Sequence, residues 1–411
     1  MDSMTNETWS QRLQRVVPGG SSTFSKTPRL VPEEPGVIVR GDGCRVWDAD
    51  GREFIDFRNG LGPVTLGYRF PPVDLAIRSQ LESGISFGHP HPLEAEIAEM
   101  LCEAIPGARY PSGAVRFLKT GGEAIAACVR LARCHTGRDH VVQIGYNGWL
   151  NSLASGGMAL PGQALPMAPP GVPAALSALH HPCPWNRLDE IESILSTYPG
   201  QVAAVIVAAD YRHMAAGATF YPALRKLVDA HGCLLIYDEI VTGFRIARGG
   251  VQEYFGVLPD LAVFSKGIAN GMPLSAYVGR WEILQALDRV SVSSTFAGET
   301  LSLAAAKATL QTYRDQDVIG HLWRQGETLW TGVNHLFDRY RLPCKVEGFW
   351  PCPQFIFSPD APAVRERFFR AAYRHGVSLY DVSYVNFSHR DADIAEALQR
   401  LETACCELTH E

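Results

Sequence analysis

From about Val115 onward, short apolar runs alternate with longer amphipathic stretches, and this alternation constrains the fold more than any other feature. The runs VRFL, HVVQI, VAAVIVAA, CLLIY and LAVF are rich in β-branched residues and mostly uninterrupted by polar ones. A strand that is apolar on both faces needs cover on both. The stretches between, such as EAIAACVRLARCH and YPALRKLVDAH, carry the helical spacing that provides it. The pattern predicts an α/β fold with a mainly parallel sheet between helices.

With 411 residues, the chain exceeds one domain of ~150 residues, and a smaller second domain is expected. Near the start, GCRVWDADG and REFIDFRNG alternate apolar and polar residues around a DADG turn and predict a β-hairpin. The last hundred residues mix helices with short strands, as a small α+β unit would. There Asp391 can cap a helix with Ile394, Leu398 and Leu401 on one face. Seven of the 27 prolines fall between Pro161 and Pro184. Each removes an N–H donor, so the interval predicts a long irregular loop.

Several classes are excluded early. The formal net charge is −6 and 19% of residues are charged, which favours neither nucleic acid nor an anionic membrane as partner. The longest clean apolar stretch, Val202 to Ala209, has eight residues, against the ~20 needed to span a membrane. No signal peptide is visible in MDSMTNETWSQR, and the ten cysteines form no CxxC pair. These features predict reduced thiols and a cytoplasmic protein. His89, His91, His180 and His181 lack the spacing of a zinc class, so no metal is expected.

Asp238 closes the run CLLIY, and Lys266 follows LAVFS before GIANG. In an open α/β sheet, ligands bind at the carboxyl ends of the strands. A lysine there suits Schiff-base chemistry, and a carboxylate beside it can keep a pyridinium nitrogen protonated. A salt bridge between neighbouring strand ends would explain the same two residues. The turn TGGEA, Thr120 to Ala124, joins a strand to a helix. Its glycines and the helix N-terminus fit a phosphate, or an ordinary Gly-rich turn. Tyr146 in GYNGW offers a ring to a flat cofactor, or to the rim of the core.

The order TGGEA, GYNGW, IYDEIVTGFR, FSKGIANGMPLSA, STFAGETLSLAAA resembles class III pyridoxal-phosphate aminotransferases, and within them the glutamate-1-semialdehyde aminomutase-like branch. VPGG (Val17–Gly20) and LGPVTLGYRFPPV fit the same branch. The resemblance runs over almost the whole chain. It implies an α/β protein of fold type I, with a mainly parallel sheet in a large domain and a smaller α+β domain drawn from both termini. The expected division is 1–60 and 311–411 for the small domain, 61–310 for the large. It implies pyridoxal 5'-phosphate as cofactor and a homodimer with shared active sites. By motif position, Lys266 would be the Schiff-base lysine and proton carrier, and Asp238 the partner of the ring nitrogen. Ile240 and Tyr146 would flank the ring, Gly121 and Gly122 would cradle the phosphate, and Thr295 would reach the partner subunit's phosphate.

The departures bear on substrate. A hydroxyl residue is usual where Gly122 stands, Glu-Pro is frequent where Ala208-Ala209 stands, and Asn-Pro where Glu299-Thr300 stands. Aminomutases carry an arginine where this chain has Lys26, which lacks the bidentate fork. Their active-site glutamate aligns with Asp381. The expected function is therefore an aminotransferase moving an amino group from a small-molecule donor to an aldehyde or ketone of a specialised polar metabolite. The alternative is a glutamate-1-semialdehyde-type 2,1-aminomutase holding its intermediate under the Pro161–Pro184 loop as a lid. A non-catalytic pyridoxal-phosphate-binding module is a third reading, opposed by the intact Lys266 and Asp238.

Overall fold

Every residue of Val202–Ala208 is buried, as is every residue of Leu234–Asp238. Continuous apolar sequence has here become the double-sided interior of a sheet. The structure, a computed structural model, describes residues 5–109, 112–150 and 169–410. The chain divides into two units, Met1–Pro71 with Gly320–Glu411 and Pro72–Ile319. Both borders fall further along than the expected 60/61 and 310/311. On the C-terminal side, the helix Thr300–Asp315 continues past the expected border.

In the unit built from both termini, β1 (Ile38–Asp42), β2 (Arg45–Asp48) and β3 (Glu53–Asp56) form an antiparallel meander. The β2–β3 pair is the hairpin expected around DADG.

The central unit holds a seven-stranded sheet. Its strands are β4 (Gly113–Leu118), β5 (His140–Ile144), β6 (His180–Cys183), β7 (Val202–Ala208), β8 (Leu234–Asp238), β9 (Leu261–Phe264) and β10 (Ser275–Arg280). Their spatial order is β4-β10-β9-β8-β7-β5-β6. Strands β6, β5, β7, β8 and β9 pair in parallel, while β10 runs antiparallel to both its neighbours. The helix Gly121–Thr136 lays Ile125, Cys128, Val129 and Leu131 into a core with Ile206, Ile236 and Val263. Phe220, Leu224 and Val228 of the helix Gly217–His231 are also buried.

From residue 169 onward the proline-rich interval is more ordered than its composition predicts. Residues 161–168, and with them that part of the expected lid, lie outside the described residues. Beyond them, Ala174–Ser177 makes a single helical turn and His180–Cys183 is β6. This strand tolerates Pro182 because it sits at the sheet edge, where a missing N–H breaks no ladder beyond it.

In the terminal unit, β11 (Cys344–Glu347) and β12 (Gln354–Phe357) pair, and β13 (Val377–Ser378) adds to β3 in parallel. The helix Asp391–His410 buries Ile394 and Leu401, with Leu398 half-buried. No described helix is long and apolar enough to cross a membrane, and all ten cysteines are free.

Candidate active site

The parallel strands end together, and Tyr146, Asp238, Ile240 and Lys266, singled out by the sequence, sit at or just beyond those ends. Asp238 is the last residue of β8, in register with Ala208 of β7 on one side and Val263 of β9 on the other. Lys266 lies three residues past Val263, half-buried, at the start of a short 3-10 turn with φ of 42°. A non-glycine residue in this left-handed region is uncommon and needs surrounding structure to hold it. Ser265 supplies part of that hold, its buried hydroxyl donating to the carbonyl of Leu274 across 2.8 Å.

Asp238 is only 8% exposed. Its Oδ1 accepts the backbone N–H of Ile240 at 3.1 Å, and its Oδ2 accepts Nδ2 of Asn147 at 3.2 Å. Burial pushes its pKa up to about 6, against the opposing pull of the two hydrogen bonds and the Lys266 charge. The carboxylate thus remains mainly ionised at neutral pH while being nearly dry.

Asn147 is the residue that sequence reasoning passed over. In GYNGW the tyrosine drew attention, yet Tyr146 is 59% exposed whereas Asn147 is buried. An asparagine between an aromatic and a glycine reads as a turn residue. Only the placement of β5 beside β7 turns it toward Asp238. Its Oδ1 is buried without a partner among the described residues.

The helix Gly121–Thr136 starts beside this carboxylate. Thr120 and Glu123 form a reciprocal capping box. The N–H groups of Gly121 and Gly122, in the first turn, have no intrahelical acceptor. A Cβ on Gly121 would stand 2.3 Å from Cδ1 of Ile240. Glycine is therefore what lets the helix end approach the residue two beyond Asp238. A Cβ on Gly122 would meet only Leu150, at an ordinary 3.6 Å. Packing does not demand that second glycine.

Thr295 is exposed, in the segment ahead of the helix Thr300–Asp315. Lys26 and Asp381 belong to the terminal unit. Lys26 is exposed at the end of the turn Phe24–Lys26. Asp381 takes a two-bond fork from Arg365, at 2.9 and 2.6 Å. Among the histidines, His91 caps the helix Pro92–Ala104, and His140 bonds His181 at 2.8 Å. Among the described residues no group of three or more His, Cys, Asp or Glu could hold a metal ion.

The glutamate after Asp238 was also unremarked. Glu239 is fully buried, bonded by the Thr242 hydroxyl and by the N–H groups of Val251 at 2.9 Å and Gln252 at 3.1 Å. Burial raises its pKa to about 7. It fastens the loop after β8 to the segment around Val251.

The model of the class-III aminotransferases matches residues 29–405. The chain belongs to that family. Its relatives include glutamate-1-semialdehyde 2,1-aminomutases of Roseiflexus castenholzii, 33% identical over 97% of this chain and 96% of that one, and of Persephonella marina, 32% identical over 95% and 96%. Among solved structures, the PLP internal aldimine form of FumI from Sphingopyxis sp. MTA144 superposes with a TM-score of 0.89 at 27% identity, covering 98% of this chain and 96% of that one. A glutamate-1-semialdehyde aminomutase from Pseudomonas aeruginosa PAO1 shares the fold, with a TM-score of 0.81 at 22% identity over 98% and 94%. Class-III aminotransferases are PLP-dependent enzymes of fold type I.

The residues present fit that cofactor. Buried and ionised, Asp238 suits a protonated ring nitrogen. Oδ1 of Asn147, without a partner among the described residues, leaves a second buried acceptor at the same edge of the sheet. The first-turn N–H groups at Gly121 and Gly122 suit a phosphate.

Proposed function

We propose that this class-III enzyme transfers an amino group between small molecules, with Lys266 moving the proton and Asp238 holding the ring nitrogen of the cofactor protonated. The observation that carries the reading is the dry carboxylate of Asp238, gripped from two sides and one strand away from the strand leading to Lys266. When bound, pyridoxal phosphate supplies an electron sink. The protein's part is to fix that sink and deliver a base to one face. Lys266, half-buried just past the end of β9, is placed to serve as that base. Ile240 and Tyr146 are assigned to the two ring faces, and Gly121 and Gly122 to the phosphate. Thr295, exposed ahead of its helix, is assigned to the phosphate of a neighbouring subunit in a homodimer.

The finer reaction has two readings. By likeness alone the intramolecular 2,1-aminomutase is the better backed, because the relatives named above carry that activity in their names. The local chemistry favours transfer between two molecules. A reaction that keeps its intermediate needs a firm hold on the substrate carboxylate, and Lys26 is a point charge where aminomutases use an arginine fork. Asp381 is already engaged by Arg365. We therefore favour an aminotransferase acting on an aldehyde or ketone of a specialised polar metabolite.

A screen of donors and acceptors by half-reaction spectroscopy identifies the pair, and a ¹⁵N-labelled donor then decides between the readings. Label appearing in a second carbon skeleton is the expected result. Label that never leaves its original skeleton, while moving between adjacent carbons, replaces the aminotransferase with the aminomutase.

A further inference from the structure

Lys119 stands directly before the capping residue Thr120, at the mouth of the helix whose first N–H groups are assigned to the phosphate. Its Nζ lies 2.9 Å from Oε2 of Glu299, and both side chains are largely buried, at 14% and 13% exposure. Two charges withdrawn from water gain little net stability from each other. What they gain is a fixed geometry, and here the geometry joins two distant pieces of chain.

On the Lys119 side, the strand end is locked. Glu123 accepts the N–H groups of Lys119 and Thr120 at 3.2 and 2.8 Å, and the hydroxyl of Ser275 donates to the carbonyl of Thr120 at 2.8 Å. On the other side, Glu299 caps the helix Thr300–Asp315 through the N–H of Leu301 and the hydroxyl of Ser302, both at 2.6 Å. Two backbone bonds, Ala297 N–H to Ser294 and Glu299 N–H to Phe296, both 3.1 Å, carry that rigidity back past Thr295. The N–H of Thr300 donates to the carbonyl of Ile85 at 2.9 Å, and its hydroxyl to that of Gly84 at 2.8 Å. The frequent Asn-Pro of the family could make neither a charge pair with Lys119 nor this N–H bond.

We propose that Lys119 and Glu299 are positioning residues: their ion pair fixes the turn that carries Thr295 against the strand end leading into Gly121 and Gly122, and so sets how tightly phosphate is held, by the two glycines in its own subunit and by Thr295 in the neighbouring one. The inference rests on the cofactor reading above. Burial works to raise the pKa of Glu299, yet the bonds from Ser302 and Lys119 and the Lys119 charge leave it lowered, so the Glu299 carboxylate is available to the pair across the neutral range.

The test titrates apoprotein with pyridoxal phosphate and, separately, with pyridoxal, following the absorbance of the Lys266-bound form. The proteins are the wild type, Lys119→Met, Lys119→Arg, Glu299→Asn and the double variant Lys119→Met/Glu299→Asn. Asparagine keeps a helix cap while losing the reach and charge for Lys119. Each single loss should weaken pyridoxal phosphate binding by about tenfold, with the double variant no worse than the weaker single, as for a coupled pair. Pyridoxal, which lacks the phosphate, should bind all variants alike, and Lys119→Arg should restore most of the affinity.

Affinities for both ligands falling together would make the pair merely structural, and unchanged singles would remove its role. Tighter binding by Glu299→Asn would mean that Lys119 acts on the phosphate directly, which also overturns the proposal. A wild type that binds neither ligand through Lys266 sinks the cofactor reading and this inference with it. That result is distinct from a binding wild type with indifferent variants.

Discussion

Asn147 donates its Nδ2 hydrogen to Oδ2 of Asp238 from a position 91 residues earlier in the chain. The bond reaches from the loop after β5 to the end of β8, past the end of β7, where the residue in register with Asp238 is the small Ala208. It leaves a buried carboxylate whose ionisation costs stability. Its pKa is raised, so the folded state holds a proton that the unfolded state has already lost as pH rises. The cost is absent below the ordinary carboxylate value and complete above about 6.

Asp238→Asn should therefore raise the stability of the apoprotein while disabling the enzyme. At about 1.4 kcal/mol per unit, the gain is up to about 3 kcal/mol at pH 7.5 and vanishes near pH 4. Asn147 can turn its unpartnered Oδ1 toward the new amide, so no donor is left facing a donor. Denaturant melts of apo wild type and variant at the two pH values read this directly. Turnover should fall by about 10²-fold or more with cofactor binding largely kept, since the ring nitrogen loses its partner. A variant with near-normal turnover makes Asp238 structural.

Gly121→Ala should weaken cofactor binding through packing rather than charge. The added Cβ would lie 2.3 Å from Cδ1 of Ile240, so the helix end must move away or the isoleucine must turn. A loss of about 1–3 kcal/mol in affinity is expected from overpacking of this kind. Truncating the obstacle in Gly121→Ala/Ile240→Ala should recover part of it. Equilibrium titration of the four proteins forms a double-mutant cycle, and additive losses would mean that the contact does not govern the helix end.

How much of this was legible in the sequence depends on where each residue's partners lie. Strands β7 and β8 were readable because burial on both faces writes itself as unbroken apolar sequence. Strand β6 was not, because HHPC has no such run and becomes a strand by pairing with β5 at the edge. Asp238 and Lys266 stood out as polar residues closing apolar runs. Asn147 and Lys119 did not, since each is defined by a partner far along the chain, 91 and 180 residues away. Glu299 was visible only as a departure from the family, and the ion pair gives that departure a physical purpose.

Lys266 should be the residue joined to the cofactor in the protein as isolated. Borohydride should abolish its visible-edge absorbance, and peptide mapping should recover the label on Lys266. The competing lysines are few, at positions 26, 119, 226, 307 and 345. Lys119 and Lys307 are held in ion pairs with Glu299 and Glu96. Label on any of the five would overturn the assignment of Lys266.

Thr295 offers a test of the shared site. Its side chain is exposed, and Phe296 beside it is 60% exposed, a large apolar surface of the kind that subunit interfaces cover. If Thr295 completes the phosphate site of a neighbouring subunit, a Lys266→Ala protein and a Thr295→Ala protein are defective in complementary halves. Mixing them with subunit exchange should create heterodimers in which one site has both an intact lysine and an intact threonine. With each parent inactive and exchange complete, about a quarter of the wild-type activity is expected, because half of the dimers are mixed and each carries one good site. Mass spectrometry of the mixture confirms the exchange independently. Confirmed heterodimers with no gain in activity over the parents would mean that Thr295 serves its own subunit's site, or none.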